Sequence, residues 1–351
     1  MIIGLSPEIT EGVESMIKVK VSDLGNQRDL DISQFLGTGD NTFENCHFFV
    51  NSSIKEVDHW FVIDGHVRED RKSIASTVNF LSAEHIWGTG HFSESKHYRE
   101  YLHQFDSVYT TQDFFSEGAH HEPPFLPWMI NTNHGVALDP SHARDISFFG
   151  SLQNLPKTDV LSVICSNKVA SAGHRLRLRF VEKLAEDLGD SLHWYGNGVR
   201  ETPQKWEAIA PYRFHLALEN QSTYGCFSEK IYDAFLGLSL PIYWGAPDIG
   251  NFFADDSFIS IDIRDYKRSL EAITTALNGN VDRTRMPAIL RSRDKVLNEY
   301  NVYKRIARIA QNKESLGVPR RAISLNRPPR DPTFGQKVGM RLGRSLHVSF
   351  G

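Results

Sequence analysis

Short apolar runs alternate with stretches of helical spacing along most of this chain, which restricts it to a parallel sheet covered by helices. A first series of runs falls at residues 17–21, 47–50, 60–63, 78–81, 107–109 and 146–149. A second falls at 160–165, 192–195, 214–218 and 240–244. Between these runs, Leu176, Phe180, Leu184 and Leu188 recur at helical intervals, and residues 229–238 share that spacing. The segment 150–157 contains Gly, Asn and Pro and is the candidate linker. The pattern predicts two α/β domains facing across a cleft, 1–150 and 151–318, followed by a tail at 319–351.

Composition narrows the function classes. The 351 residues carry 39 Lys+Arg against 43 Asp+Glu, so the formal charge of −4 excludes a surface devoted to nucleic acid. Cys46, Cys165 and Cys226 are far apart and show no CxxC spacing, so they read as buried thiols of a reducing compartment. No apolar run reaches the ~18 residues of a membrane span, and the first residues lack a secretion signal, so a cytoplasmic protein is expected. The tail is basic, and Phe334, Val338, Leu342, Leu346 and Phe350 form an apolar stripe in it. Such a stretch suits peripheral attachment at the inner face of a membrane; the bland reading is a solvated tail.

The densest chemistry lies at residues 212–250 (YRFHLALENQSTYGCFSEKIYDAFLGLSLPIYWGAPDIG). A strand ends at Glu219-Asn220, and a polar loop follows. Ser228 then N-caps a helix that opens with Glu229 and Lys230. A polar loop running into a helix N-terminus suits a phosphate, and Lys230 adds a full positive charge. Spacing alone leaves Glu229 and Lys230 equally open as a solvated charge pair. A second strand ends in the turn Gly245-Ala246-Pro247, at the sheet edge where ligands bind in open α/β folds.

These elements resemble the signature of the α-1,3-fucosyltransferases, glycosyltransferase family 10, and its bacterial members in particular. The family's strand end, its Ser/Thr-Glu-Lys helix start and its Pro-Ile run correspond to Leu218-Glu219-Asn220, Ser228-Glu229-Lys230 and Pro241-Ile242. Ser166-Asn167 and the following basic segment match a second family element, in which Arg177 stands for the phosphate-binding arginine. Arg175 and Arg179 lie nearby, but helical spacing turns Arg177 away from both. The resemblance is firm over about 100 residues of the C-terminal half and loose over the first 150.

The resemblance implies a GT-B fold of two Rossmann-like α/β domains. It implies an inverting transfer of L-fucose from GDP-fucose to a glycan hydroxyl, of the kind that decorates lipopolysaccharide. It assigns Arg177, Glu219, Asn220, Tyr224, Glu229 and Lys230 to the nucleotide sugar; Cys226 stands where the family has an aromatic, so either Tyr224, two residues earlier, covers the guanine or that contact is lost. Glu84, at the end of the strand-like NFLSAE, is the implied general base; Glu94 is its rival, because the family's proline after the base is absent here. No cofactor is implied, and a divalent metal is at most stimulatory. The lone Asp29-Leu30-Asp31 and the adjacent His120-His121-Glu122 do not make a convincing metal site. Two alternatives remain open: a GT-B transferase using another nucleotide sugar, and a non-catalytic glycan-binding relative.

Overall fold

The computed structural model describes residues 16–23, 32–65, 67, 69–83, 100–111, 119–133, 136–137, 144–202 and 204–327. Two mainly parallel sheets organise them. The first has, in spatial order, Thr42–Phe43, Cys46–Val50, Ile17–Ser22, His59–Ile63, Thr77–Leu81, Ser107–Thr110 and Ala119–His121. All its neighbours are parallel except the hairpin of Thr42–Phe43 with Cys46–Val50. The second sheet is fully parallel, in the order Leu192–Tyr195, Asp159–Ile164, Tyr212–Leu218, Leu240–Trp244 and Ile259–Ser260.

Every residue of His59–Ile63, Thr77–Leu81 and Leu240–Trp244 is buried. That is why these strands read as continuous apolar runs: central parallel strands are covered on both faces. In the second sheet the first strand in the chain, Asp159–Ile164, lies between the second and the third. The strand order therefore reverses beside Asp159–Ile164, which opens a crevice at the carboxyl ends of the strands. Helix Ala172–Leu188 starts on the rim of that crevice, and helix Glu229–Leu236 follows Tyr212–Leu218.

One sequence expectation fails. The apolar run at 146–149 predicts a strand at the end of the first series, but Ile146–Ser151 is a helix. Asp145 caps it, its side chain accepting from the Phe148 amide at 2.8 Å. Phe149 is buried with Trp128 and Trp206 around it. A four-residue apolar run fits a helix and a strand equally well, and the cap decides.

The chain returns to the first sheet at its end. Helix Val302–Glu314 buries Tyr303, Ile306, Ala307 and Ala310, and it packs on Ile17–Ser22 and Cys46–Val50. Its cap, Asn301, also donates to the Phe35 carbonyl at 2.7 Å. Strand Arg321–Ser324, within the stretch read as the start of the basic tail, pairs antiparallel with Lys72–Ala75. Residues 328–351, with the apolar stripe, lie outside the described residues. Among the described residues no helix is long and apolar enough to cross a membrane.

Candidate donor-binding site

Helix Ala172–Leu188 begins with a reciprocal cap. The Ser171 hydroxyl accepts from the His174 amide at 3.1 Å, and the His174 ring accepts from the Ser171 amide at 3.2 Å. This fixes which side of the helix faces the crevice. Arg177 turns inward and is 6% exposed, whereas Arg175 and Arg179 point to solvent. One Arg177 Nη donates to the Leu218 carbonyl at 3.2 Å, while its Nε is buried without a hydrogen-bond partner. Arg177 also has no carboxylate partner among the described residues.

Opposite Arg177, the end of strand Tyr212–Leu218 and the start of helix Glu229–Leu236 are tied together. Glu219 accepts from the Ser228 amide and hydroxyl, both at 2.8 Å. The same hydroxyl accepts from Lys230 Nζ at 2.8 Å, and Lys230 lies 3.2 Å from Glu219 Oε2. Ser228 occupies the N-cap, as its residue type predicts. Asn220, next to Glu219, has a buried Oδ1 without a partner. Buried polar atoms in proteins are nearly always paired, so the orphaned atoms of Arg177 and Asn220 are candidate positions for ligand contacts.

Glu229 and Lys230 are not a solvated pair. Their side chains are 17% and 22% exposed, and they join an alternating chain of charges. Lys230 lies 3.4 Å from Glu229 Oε1, Lys205 lies 3.4 Å from the same oxygen, and Lys205 reaches Asp233 Oδ2 at 2.9 Å. Burial alone would raise the Glu229 pKa, but Lys230 and Lys205 hold it well below the usual carboxylate range. Burial alone would lower the Lys230 pKa, but Glu219 and Glu229 raise it above the ordinary lysine value. Against its burial, Lys205 is shifted the same way as Lys230, by Asp233 and Glu229, so Glu229, Lys230 and Lys205 are charged at neutral pH.

A cavity of about 200 Å³ opens among these groups, lined by Ser166, Arg177, Asn197, Lys205, Glu229 and Lys230 among others. Its floor includes His215, whose ring contacts Ser162 Oγ at 2.8 Å. Burial pushes the His215 pKa down to about 3, so the ring is neutral. Sequence reasoning missed Lys205, Asn197, His215 and Asp233. Only Asp233 left a signal, since it is four residues from Glu229 and shares its helix face.

The remaining candidates fall elsewhere. Tyr224 is 71% exposed on the loop between strand and helix. The next residue, Gly225, donates to Asp248 Oδ1 at 2.8 Å and faces Thr111, which belongs to the first half of the chain. Cys226 is buried beneath that loop. Glu84, Glu94, Asp29 and Asp31 lie outside the described residues. His120 stacks on Tyr109, and Glu122 pairs with Arg305 at 3.0 Å. Among the described residues no group of three His, Cys, Asp or Glu is placed to hold a metal.

Several known proteins are similar to parts of this chain. Residues 155–286 match the model of the glycosyltransferase family 10 (fucosyltransferase) C-terminal domain. An 83-residue stretch is 39% identical to the alpha-(1,3)-fucosyltransferase FucT of Helicobacter pylori, covering 22% of this chain and 17% of that protein. The chain thus aligns with less than a fifth of that relative's length. A solved alpha1,3-fucosyltransferase is similar with a TM-score of 0.49 at 16% identity, over 84% of this chain and 93% of the other. The apo structure of OtsA is similar with a TM-score of 0.44 at 11% identity, over 71% of this chain and 72% of the other. The part of this chain that carries the site, residues 155–286, is thus similar to the C-terminal domain of glycosyltransferase family 10.

Proposed function

We propose that this protein is an inverting fucosyltransferase. It takes L-fucose from GDP-fucose and attaches it α-1,3 to an N-acetylglucosamine or glucose-type residue of a glycan. The observation that carries this reading is Arg177, a buried cation with an orphaned Nε and no carboxylate partner among the described residues. It sits at the crevice where the strand order of the second sheet reverses. The cavity is smaller than the ~300–1,000 Å³ of a typical ligand pocket, so it takes part of a nucleotide sugar and the open cleft takes the rest.

The chemistry explains the residue types. In the reaction the acceptor oxygen bonds to the anomeric carbon while that carbon's bond to the β-phosphate oxygen breaks. The electron pair leaves with GDP, and the acceptor proton passes to a carboxylate, for which Glu84 is the proposed base. Arg177 and Lys230 face the charge that grows on the leaving diphosphate. The first amides of helix Ala172–Leu188 add to it. Glu229, ionised and fixed by two ammonium groups, accepts from sugar hydroxyls of the donor. Removing one such preorganised contact commonly costs ~10²–10³-fold in rate.

The deciding experiment is thermal unfolding with GDP, GDP-fucose, GDP-mannose, UDP-galactose and UDP-N-acetylglucosamine. A ligand at ~100 times its dissociation constant stabilises by about 2.7 kcal/mol, which is readily detected. A shift with GDP and GDP-fucose is expected. A shift with UDP sugars alone overturns the donor assignment, and no shift with any of them overturns the transferase reading.

A further inference from the structure

Lys205 lines the cavity beside Glu229 and Lys230 and stands on the short helix Lys205–Ile209. Its ammonium lies 2.9 Å from Asp233 Oδ2 and 3.4 Å from Glu229 Oε1. An ammonium needed only to neutralise Asp233 would require one carboxylate; this one lies between two. Lys230 meets the same Glu229 oxygen at 3.4 Å. Both ammonium groups thus meet the Glu229 carboxylate at Oε1, one from each side of the charge chain.

The other end of the chain of contacts is also anchored. Asp233 Oδ1 accepts from the Met129 amide at 2.8 Å, and the Trp206 amide donates to the Ile130 carbonyl at 3.0 Å. Residues 129–130 belong to the stretch that follows strand Ala119–His121, on the way from the first sheet to the second. Trp128 and Ile130 are buried in the common core, so this stretch is a firm support. Ion pairs out of water hold geometry when all members are satisfied, and removing one member leaves the others uncompensated.

We infer that Lys205 is a positioning residue for Glu229: it holds the donor-site carboxylate in place and ties it, through Asp233, to the chain at Met129. The inference rests on the donor reading given above. A cation that acts through Glu229 matters to the donor only while Glu229 carries a charge. A cation that merely stabilises the fold matters equally in either case.

The test is a double-mutant cycle read by calorimetric binding of GDP and GDP-fucose to the full chain. Lys205→Met is expected to weaken GDP-fucose binding by about tenfold or more, as do losses of close charge pairs elsewhere. Lys205→Arg is expected to restore most of it. In a Glu229→Gln background, Lys205→Met is expected to change affinity by less than about twofold. Lys205→Met/Asp233→Asn, which removes both charges of the buried pair, serves if Lys205→Met alone does not fold, and it should weaken binding only when Glu229 is intact. Equal losses with and without Glu229, or unchanged affinity in a folded Lys205→Met protein, overturn the inference and leave the donor reading standing. A parent protein that binds neither nucleotide overturns both.

Discussion

A methyl group on Gly173 would lie 1.6 Å from the carbonyl oxygen of Asn220. The second residue of helix Ala172–Leu188 thus touches the backbone just past strand Tyr212–Leu218, and only glycine permits it. This contact holds the start of the helix that carries Arg177 against the backbone next to Glu219. Backbone meets backbone here, so no side chain can rotate away. Gly173→Ala is expected to lower stability by ~1–3 kcal/mol, the usual cost of overpacking, and to weaken GDP-fucose binding. Scanning calorimetry and titration calorimetry on the same sample check both. Unchanged affinity would detach this helix start from the donor site.

Arg177 and its exposed neighbours should separate cleanly. Arg177→Ala is expected to cost at least tenfold in donor affinity, and Arg177→Lys should not rescue it, because a lysine lacks the planar fork. Arg175→Ala and Arg179→Ala sit on the solvent face and should change stability by no more than ~0.5 kcal/mol. Binding isotherms for the four variants decide the matter. A loss at Arg179 equal to that at Arg177 would mean that the wrong face has been assigned to the ligand.

Lys157 makes stability depend on pH. Its ammonium donates to the carbonyls of Ala210 at 2.7 Å and Gly237 at 2.8 Å, and burial pushes its pKa down to about 7. Between about pH 7 and the lysine range of the unfolded chain, the unfolded state holds a proton that the folded state has released. This group therefore makes the protein more stable as pH rises through that window, by at most ~1.4 kcal/mol per pH unit. The benefit is lost as pH falls toward 7. Denaturant midpoints at pH 7, 8 and 9 measure the slope, and Lys157→Met should flatten it. A slope unchanged in that variant would assign the effect to other groups.

The strand Arg321–Ser324 should brace the first sheet. Ile323 and Leu325 join the apolar cluster of Trp60, Phe80 and Phe105, and Arg321 pairs with Asp106 at 2.7 Å. Arg320 reaches Glu56 at 2.7 Å and also contacts Asp58. Burying an Ile or Leu side chain contributes ~1.5–3 kcal/mol, so ending the chain at residue 318 should cost several kcal/mol. Hydrogen exchange should rise in Lys72–Ala75 and in the strands beneath it. Exchange confined to the cut end would show that the first sheet stands without this brace.

Much of the second half was legible before folding. The strands Leu192–Tyr195 and Leu240–Trp244 match the apolar runs, and Ser228 announces the start of its helix. The turning of Arg177 away from Arg175 and Arg179 follows from helical spacing alone. The run at 146–149 misled because four apolar residues carry no usable period, and the cap from Asp145 settled the matter.

The sequence by itself determined which short segments are apolar on which face, because side-chain period and backbone geometry are local. It also determined where the strands Asp159–Ile164, Leu192–Tyr195, Tyr212–Leu218 and Leu240–Trp244 fall along the chain. Only the tertiary structure decided which charges meet. Lys205 reaches Glu229 and Asp233 across 24 and 28 residues, and no spacing rule foretells that. Only it decided that helix Val302–Glu314 and strand Arg321–Ser324 return to the first sheet. The physical reason is the same in both cases. An apolar face or a buried charge states that it needs a partner, but the partner is chosen by the packing of the whole chain.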